Sequence, residues 1–177
     1  EKSQGWEIGF SWGQPDQQIE ITWFDQEIDN EIYFDMASFS GYLQGTGTTS
    51  SQGLELSGET AFLTHWRLLA NITWNETESN TKQQRPYRPE WAAASTLLWQ
   101  DRSVVAALTA RFTRDSVDTF GAPMPNTERL DASVALNVTQ SLRVTARIEN
   151  LTDNQDAQVR DYNQIPRAAY LGLRYSI

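Results

Sequence analysis

The closing stretch Arg167-Ala-Ala-Tyr-Leu-Gly-Leu-Arg-Tyr-Ser-Ile177 decides the fold. In an extended chain Ala169, Leu171, Leu173, Tyr175 and Ile177 share one face, and Tyr170, Gly172, Arg174 and Ser176 share the other. Such a two-residue period, apolar on one side and polar on the other, suits a strand with hydrocarbon against one face and water against the other.

Working outward, the same period recurs along the chain and predicts about nine antiparallel strands joined alternately by tight turns and long polar segments. Trp6, Ile8, Phe10 and Trp12 share a face before the Gly13-Gln-Pro-Asp turn, and Ile19, Ile21 and Trp23 carry the next strand toward Ile28. A Gly/Ser/Thr-rich loop is expected from about Asp35 to Ser51. Leu54, Leu56, Gly58, Thr60 and Phe62 then alternate with Glu55, Ser57 and Glu59, and a short turn at Leu63-Thr-His follows. The next two strands each carry tryptophans of one parity near both ends, Trp66 with Trp74 and Trp91 with Trp99. Eight residues of tilted strand separate such rings by roughly 20 Å along the membrane normal, near the height of an apolar band between aromatic girdles.

Three further strands repeat the pattern with Val104 to Phe112, Leu130 to Val138 and Leu142 to Ile148. Their other faces carry Arg111, Asp131, Ser133, Asn137, Arg143, Thr145, Arg147 and Glu149, which would line a polar lumen. Short turns at Asp101-Arg-Ser and Thr139-Gln-Ser, set against long segments at Thr77–Glu90, Arg114–Glu128 and Asp153–Arg167, distinguish a periplasmic side from an outer one.

Bulk averages hide this organisation: the 177 residues carry a formal charge of −9, 39% hydrophobic residues and a mean hydropathy of −0.55. In a barrel wall apolar and polar positions cancel in any window, and no run approaches the ~18 apolar residues of a spanning helix. The start Glu1-Lys-Ser-Gln-Gly-Trp lacks a signal peptide, so an upstream segment is expected. Cysteine is absent, which removes disulfides and thiolate metal sites, and the acidity argues against nucleic acid as a partner. No enzyme, metal or cofactor is expected. The single histidine, His65, sits in a turn on the wrong side for a serine-histidine hydrolase, and the acids from Asp25 to Asp35 lack calcium-loop spacing.

Several segments together carry a family resemblance. Glu1-Lys-Ser-Gln-Gly-Trp-Glu-Ile-Gly-Phe leads into a strand, Ile28-Asp-Asn-Glu-Ile ends one, and Ser51-Gln-Gly-Leu-Glu-Leu is a small-polar-Gly-apolar-Glu strand. Arg85-Pro-Tyr-Arg-Pro-Glu precedes another strand, and Glu149-Asn-Leu-Thr-Asp opens the final hairpin. In this order the whole chain, residues 1–177, resembles the C-terminal portion of a TonB-dependent outer-membrane receptor, nearest the cobalamin and siderophore types. The last residue is usually Phe in that family and is Ile177 here.

The resemblance implies an all-β fold, a transmembrane antiparallel segment supplying roughly the last nine strands of a 22-stranded plugged barrel. The plug, the TonB-contacting segment and the earlier strands would lie outside this chain, whether through a split gene or cleavage. It implies active import of a scarce ferric siderophore or cobalamin across a Gram-negative outer membrane. The partners would be the N-terminal part of the receptor, TonB acting through its plug, the lipid bilayer and a chelate or corrin. Substrate would meet Arg85, Tyr87, Arg88, Phe120, Arg160 and Tyr162 in the outer loops, where aromatic and Arg side chains give the most binding energy. Arg111, Arg143, Arg147 and Glu149 would hold the plug, and Trp66, Trp74, Trp91 and Trp99 would form the membrane girdle. A self-contained small barrel acting as a passive pore or adhesin is the alternative and needs an even strand count. A soluble β-sandwich is another, and needs the apolar faces buried between sheets.

Overall fold

The structure is a computed structural model that describes residues 1–35 and 38–176; Ile177, the end of the alternating stretch, lies outside them. Among the described residues eleven strands run β1 (Lys2–Gln14), β2 (Gln17–Asp29), β3 (Ile32–Phe34), β4 (Tyr42–Gln44), β5 (Thr48–Phe62), β6 (Trp66–Glu78), β7 (Trp91–Gln100), β8 (Val104–Arg114), β9 (Thr127–Asn137), β10 (Leu142–Glu149) and β11 (Ala168–Tyr175). Nine of them form one antiparallel sheet in the order β1-β2-β5-β6-β7-β8-β9-β10-β11. Within this sheet each strand pairs with the next in chain order, β2 passing over the β3–β4 hairpin to β5, and β1 and β11 remain as the two edges, so the wall is an unclosed barrel segment. No helix among the described residues is long and apolar enough to cross a membrane, which says nothing of strands.

The register turns the separate alternating patterns into one surface. Trp12, Ile19, Gly58, Ala70, Ser95, Ala110 and Leu130 follow one another across adjacent strands, and so do Ile8, Trp23, Leu54, Trp74 and Trp91. Because side chains directly opposite in a ladder share a face, every apolar set lies on the same side of the sheet. This band is not folded into a core: among the described residues Met124, in the loop before β9, is the only buried apolar side chain. Ile8, Phe10 and Trp12 at one edge are 64–70% exposed, and Leu171, Leu173 and Tyr175 at the other are 71–78% exposed. A soluble sandwich would cover these side chains with a second sheet, and among the described residues they remain exposed.

Turn lengths alternate between the two ends. Short connections at Pro15–Asp16, Leu63–His65, Asp101–Ser103 and Val138–Ser141 share one end, and the connections 79–90, 115–126 and 150–167 share the other. The loop expected from Asp35 to Ser51 is partly ordered: β3 and β4 pair as a separate hairpin, and β5 begins at Thr48. Phe34 sits edge-on to both Phe39 and Tyr42 at 5.9 and 5.6 Å, an aromatic cluster that holds a hairpin too short for its own alternation to register.

One glycine shows why the polar face tolerates few residue types. The Phe24 ring lies over Gly53 on the neighbouring strand, and a Cβ at Gly53 would fall 2.5 Å from Phe24 Cζ and 2.3 Å from the Trp74 carbonyl oxygen. Only glycine admits this approach, which gives the Ser51-Gln-Gly-Leu-Glu segment its middle residue.

Candidate functional site

The polar face carries charge in two separated blocks. On β1, β2 and β5, Glu7, Glu20, Glu55 and Glu59 point to it, and on β8 to β11 so do Arg111, Arg129, Arg143, Arg147 and Arg174. Small side chains of β7, Ala92, Ala94 and Thr96, lie between. Glu59 is matched by Arg67 at 3.4 Å, whereas Glu7 and Glu55 open onto one cleft with Thr22 and Phe24 and have no cation within 4 Å among the described residues. Burying such carboxylates against a second body requires that body to supply cations.

On the basic side the structure joins three of the four charged candidates into a chain of ion pairs. Arg111 pairs with Asp131 at 2.5 Å, Arg129 with the same carboxylate at 2.8 Å and with Glu149 at 3.3 Å, and Arg147 with Glu149 at 3.4 Å. Arg147 also lies 4.3 Å over the Tyr170 ring. The linking residue, Arg129, was not evident from sequence, because the period fixes which face a side chain takes and not which partner it meets. Arg143 stands apart from this network and makes no ion pair among the described residues.

Asn150 anchors the last long loop beside the network. It adopts a left-handed φ of 53°, donates to the carbonyls of Asn154 and Ile165 at 2.8 and 3.1 Å, and accepts from the Asn154 N–H at 3.0 Å. Its own N–H donates to Asp131 at 2.8 Å, and Asp153 accepts from the Arg167 N–H at 2.8 Å. Glu149-Asn-Leu-Thr-Asp therefore encodes both a turn and the closure of a loop base: asparagine tolerates the left-handed region and its amide satisfies the backbone groups the turn exposes.

All six substrate candidates lie at the long-loop end. Arg85 pairs with Glu31 at 2.5 Å, tying the loop before β7 to the one after β2. Tyr87 has a left-handed φ of 55° and donates its N–H to the Val117 carbonyl at 2.8 Å, tying it also to the loop before β9. Arg160 donates to Asp118, which is 1% exposed and also accepts from the N–H groups of Phe120 and Ala122 at 2.9 Å each. Burial alone would raise the Asp118 pKa; the two backbone donors and Arg160 outweigh it and hold the carboxyl below its usual 3.8. The tight turn thus made leaves Phe120 89% exposed, with Tyr162 of the neighbouring loop 72% exposed. Arg88 is exposed as well and makes no ion pair among the described residues. Arg85, Tyr87 and Arg160 thus serve the loop framework, which presents Arg88, Phe120 and Tyr162 outward.

The four tryptophans fall into two directly opposed pairs, Trp66 with Trp99 near the short-turn end and Trp74 with Trp91 near the other. Phe62 stacks on Trp66 at 6.3 Å, and Trp23 lies 6.4 Å from Trp74, so each row extends to neighbouring strands. Among the described residues no group of His, Asp and Glu side chains is arranged to hold a metal ion.

Known proteins resemble the chain in the same terms. The solved structure of the copper transporter OprC superposes with a TM-score of 0.83 at 14% identity, over 99% of this chain and 31% of that one. The siderophore receptor PiuA from Acinetobacter baumannii gives 0.81 at 18% identity, over 98% of this chain and 28% of that one. The ferric yersiniabactin uptake receptor FyuA from Yersinia pestis gives 0.77 at 15% identity, over 98% and 29%. The chain therefore spans about a third of the length of these structures, and at such identities the likeness establishes the fold. No curated protein matches it. The profile described as TonB dependent receptor-like, beta-barrel matches residues 1–151, and the chain belongs to that family of outer-membrane receptors and transporters, which are not enzymes.

Proposed function

We propose that this chain is the last part of the barrel wall of a plugged outer-membrane receptor that imports a scarce metal chelate. The observation that carries the proposal is the sheet itself. An apolar band bounded by two aromatic rows covers one face, charge covers the other, and both edge strands are unpaired. In hydrocarbon an unpaired strand edge costs several kcal/mol per exposed group, so the earlier strands of the same receptor must complete the ladder at β1 and β11. In this reading Trp66, Trp74, Trp91 and Trp99 are the girdle, the short turns face the periplasm and the long loops face outward. Arg111, Arg147 and Glu149 belong to the wall around the plug, which TonB acts upon from within.

For cargo, a ferric siderophore fits better than cobalamin. Exposed Arg88, Phe120 and Tyr162, on three successive outer loops, offer a cation and ring faces, which suit an anionic, partly aromatic chelate. Uptake of radiolabelled ferric chelates and of labelled cobalamin into cells carrying the full receptor tests this. Energy-dependent uptake of an iron chelate is expected. Uptake of cobalamin alone would transfer the assignment, and uptake of neither, with the receptor folded in the outer membrane, would refute import of these nutrients.

A further inference from the structure

Arg88 has an exposed side chain on a constrained backbone. Pro86 and Pro89 flank the pair Tyr87-Arg88, and a residue that precedes proline is kept out of the helical region, so Arg88 is confined to extended backbone. Tyr87 before it has a left-handed φ of 55°, which residues other than glycine hold only with outside support. That support comes from the loop before β9. The Tyr87 N–H donates to the Val117 carbonyl at 2.8 Å and the Glu90 N–H to the Asp115 carbonyl at 3.1 Å, one on either side of Arg88 in the chain. The supporting loop is closed on itself: the Met124 N–H donates to the Ser116 carbonyl at 2.8 Å and the Asp118 N–H to the Ala122 carbonyl at 2.9 Å. Gln84 completes the arrangement. Its half-buried amide donates to the Arg88 carbonyl at 3.0 Å and to the Asp115 carbonyl at 2.7 Å, joining the two loops at the arginine.

Resting on the anionic-chelate reading above, we propose that Gln84 is a positioning residue for cargo binding, which fixes where Arg88 stands relative to Phe120. Only an amide nitrogen can serve two carbonyl oxygens, so the side chain has one orientation, and both of its N–H groups are spent on main chain rather than on cargo. Gln84 therefore acts through Arg88. The other end of the tie leads to the ring: Asp118, three residues beyond Asp115, accepts from the Phe120 N–H at 2.9 Å and from Arg160. A cation whose backbone is already fixed meets an anion without the cost of ordering a loop, and releasing the constraint returns that cost as weaker affinity. The bonds from the Tyr87 and Glu90 N–H groups do not pass through Gln84, so its loss loosens the seat of Arg88 and leaves the two loops associated.

Two measurements on the full receptor in detergent test the role. The first compares Gln84→Met, which keeps the length of the side chain and removes its donors, with Arg88→Met and with the double variant. The probe is the ferric complex of a synthetic hexadentate tris-catecholate, an anion bearing aryl rings, and binding is read from quenching of tryptophan fluorescence. Gln84→Met should weaken binding about three- to tenfold, the size expected for the loss of an ordinary hydrogen bond. Arg88→Met should lose at least as much, and the double variant no more than Arg88→Met alone. Heat-modifiable gel migration identifies the folded variants. The second measurement needs no probe: spin labels at Arg88→Cys and Phe120→Cys should give one narrow distance distribution by pulsed electron paramagnetic resonance, and Gln84→Met should broaden it. Unchanged affinity in folded Gln84→Met, additive losses in the double variant, or an unaltered distance distribution overturns the proposal. A parent receptor that binds no probe, or Arg88→Met binding as tightly as the parent, refutes instead the anionic-chelate reading on which the role depends.

Discussion

Arg160 donates to Asp118 across 42 residues of chain and so latches the loop before β11 to the loop before β9. Asp118 is buried, its second oxygen is taken by two backbone N–H groups, and its pKa is depressed below 3.8. A depressed folded pKa means that the latch's contribution is complete above the unfolded value and is lost only as pH falls through the folded one. The latch should therefore be intact at pH values above the usual carboxylate value of 3.8 and open only in stronger acid, below it. Asp118→Asn, which leaves Arg160 without a charge partner, should open it at neutral pH. Limited proteolysis within 150–167 reads both effects, and equal cleavage of parent and variant at neutral pH would show that the latch holds nothing.

Arg129 is the centre of the wall network, and its removal takes one partner from each of two carboxylates, leaving Asp131 to Arg111 and Glu149 to Arg147. Its side chain and those of Asp131 and Glu149 are 36%, 19% and 23% exposed, so water screens the pairs in part. Arg129→Gln should destabilise the folded barrel by about 1 kcal/mol, at the upper end for exposed pairs. Arg147→Gln, at the end of the network with 56% exposure, should cost less. Denaturant unfolding in detergent, arranged as a double-mutant cycle of Arg129 with Asp131, measures the coupling. A coupling near zero would reduce the network to a crystal-like contact of solvated charges.

How far the sequence discloses this molecule follows from what a period can encode. The tryptophan rows were legible because parity puts Trp66, Trp74, Trp91 and Trp99 on one face whatever the register, and the ladder then pairs them. The β3–β4 hairpin was not legible, since its three-residue strands hold too few alternations and its stability comes from Phe34, Phe39 and Tyr42 meeting across the turn. Arg85 and Arg160 were legible as outer-loop residues but not as loop ties, because Glu31 and Asp118 reach them only through the packing of separate loops. Arg143 and Arg147 look alike in sequence, and only the presence of Glu149 beside one of them separates a neutralised arginine from a free one.

Gly53 sets a steric test of the β2–β5–β6 packing. Gly53→Val should block barrel assembly, because its side chain meets both the Phe24 ring and the Trp74 carbonyl. Pairing it with Phe24→Ala removes the ring but leaves the backbone contact, so rescue should be partial at most. Outer-membrane yield of the heat-modifiable form, compared among the two single variants and the double, checks this. Full rescue by Phe24→Ala would assign the constraint to the ring alone.

Adjacent residues on β7 give the sharpest test of which face meets lipid. Ser95 lies midway between Trp91 and Trp99 on the apolar face, in a row with Ala70 and Ala110, and Thr96 points the other way, its hydroxyl 3.0 Å from that of Thr109. An arginine near the bilayer midplane on the lipid side costs about 2–4 kcal/mol, whereas one in a water-filled or polar lumen does not carry that penalty. Ser95→Arg should thus lower the unfolding free energy by that amount in lipid vesicles. Thr96→Arg should cost under about 1 kcal/mol, little more than the lost cross-strand hydroxyl pair. The ordering of the two variants is the decisive readout, because total stability depends on strands outside this chain and the difference between neighbours does not. If Thr96→Arg proved the more damaging, the assignment of faces would have to be inverted along every strand, since the ladder ties all of them to β7.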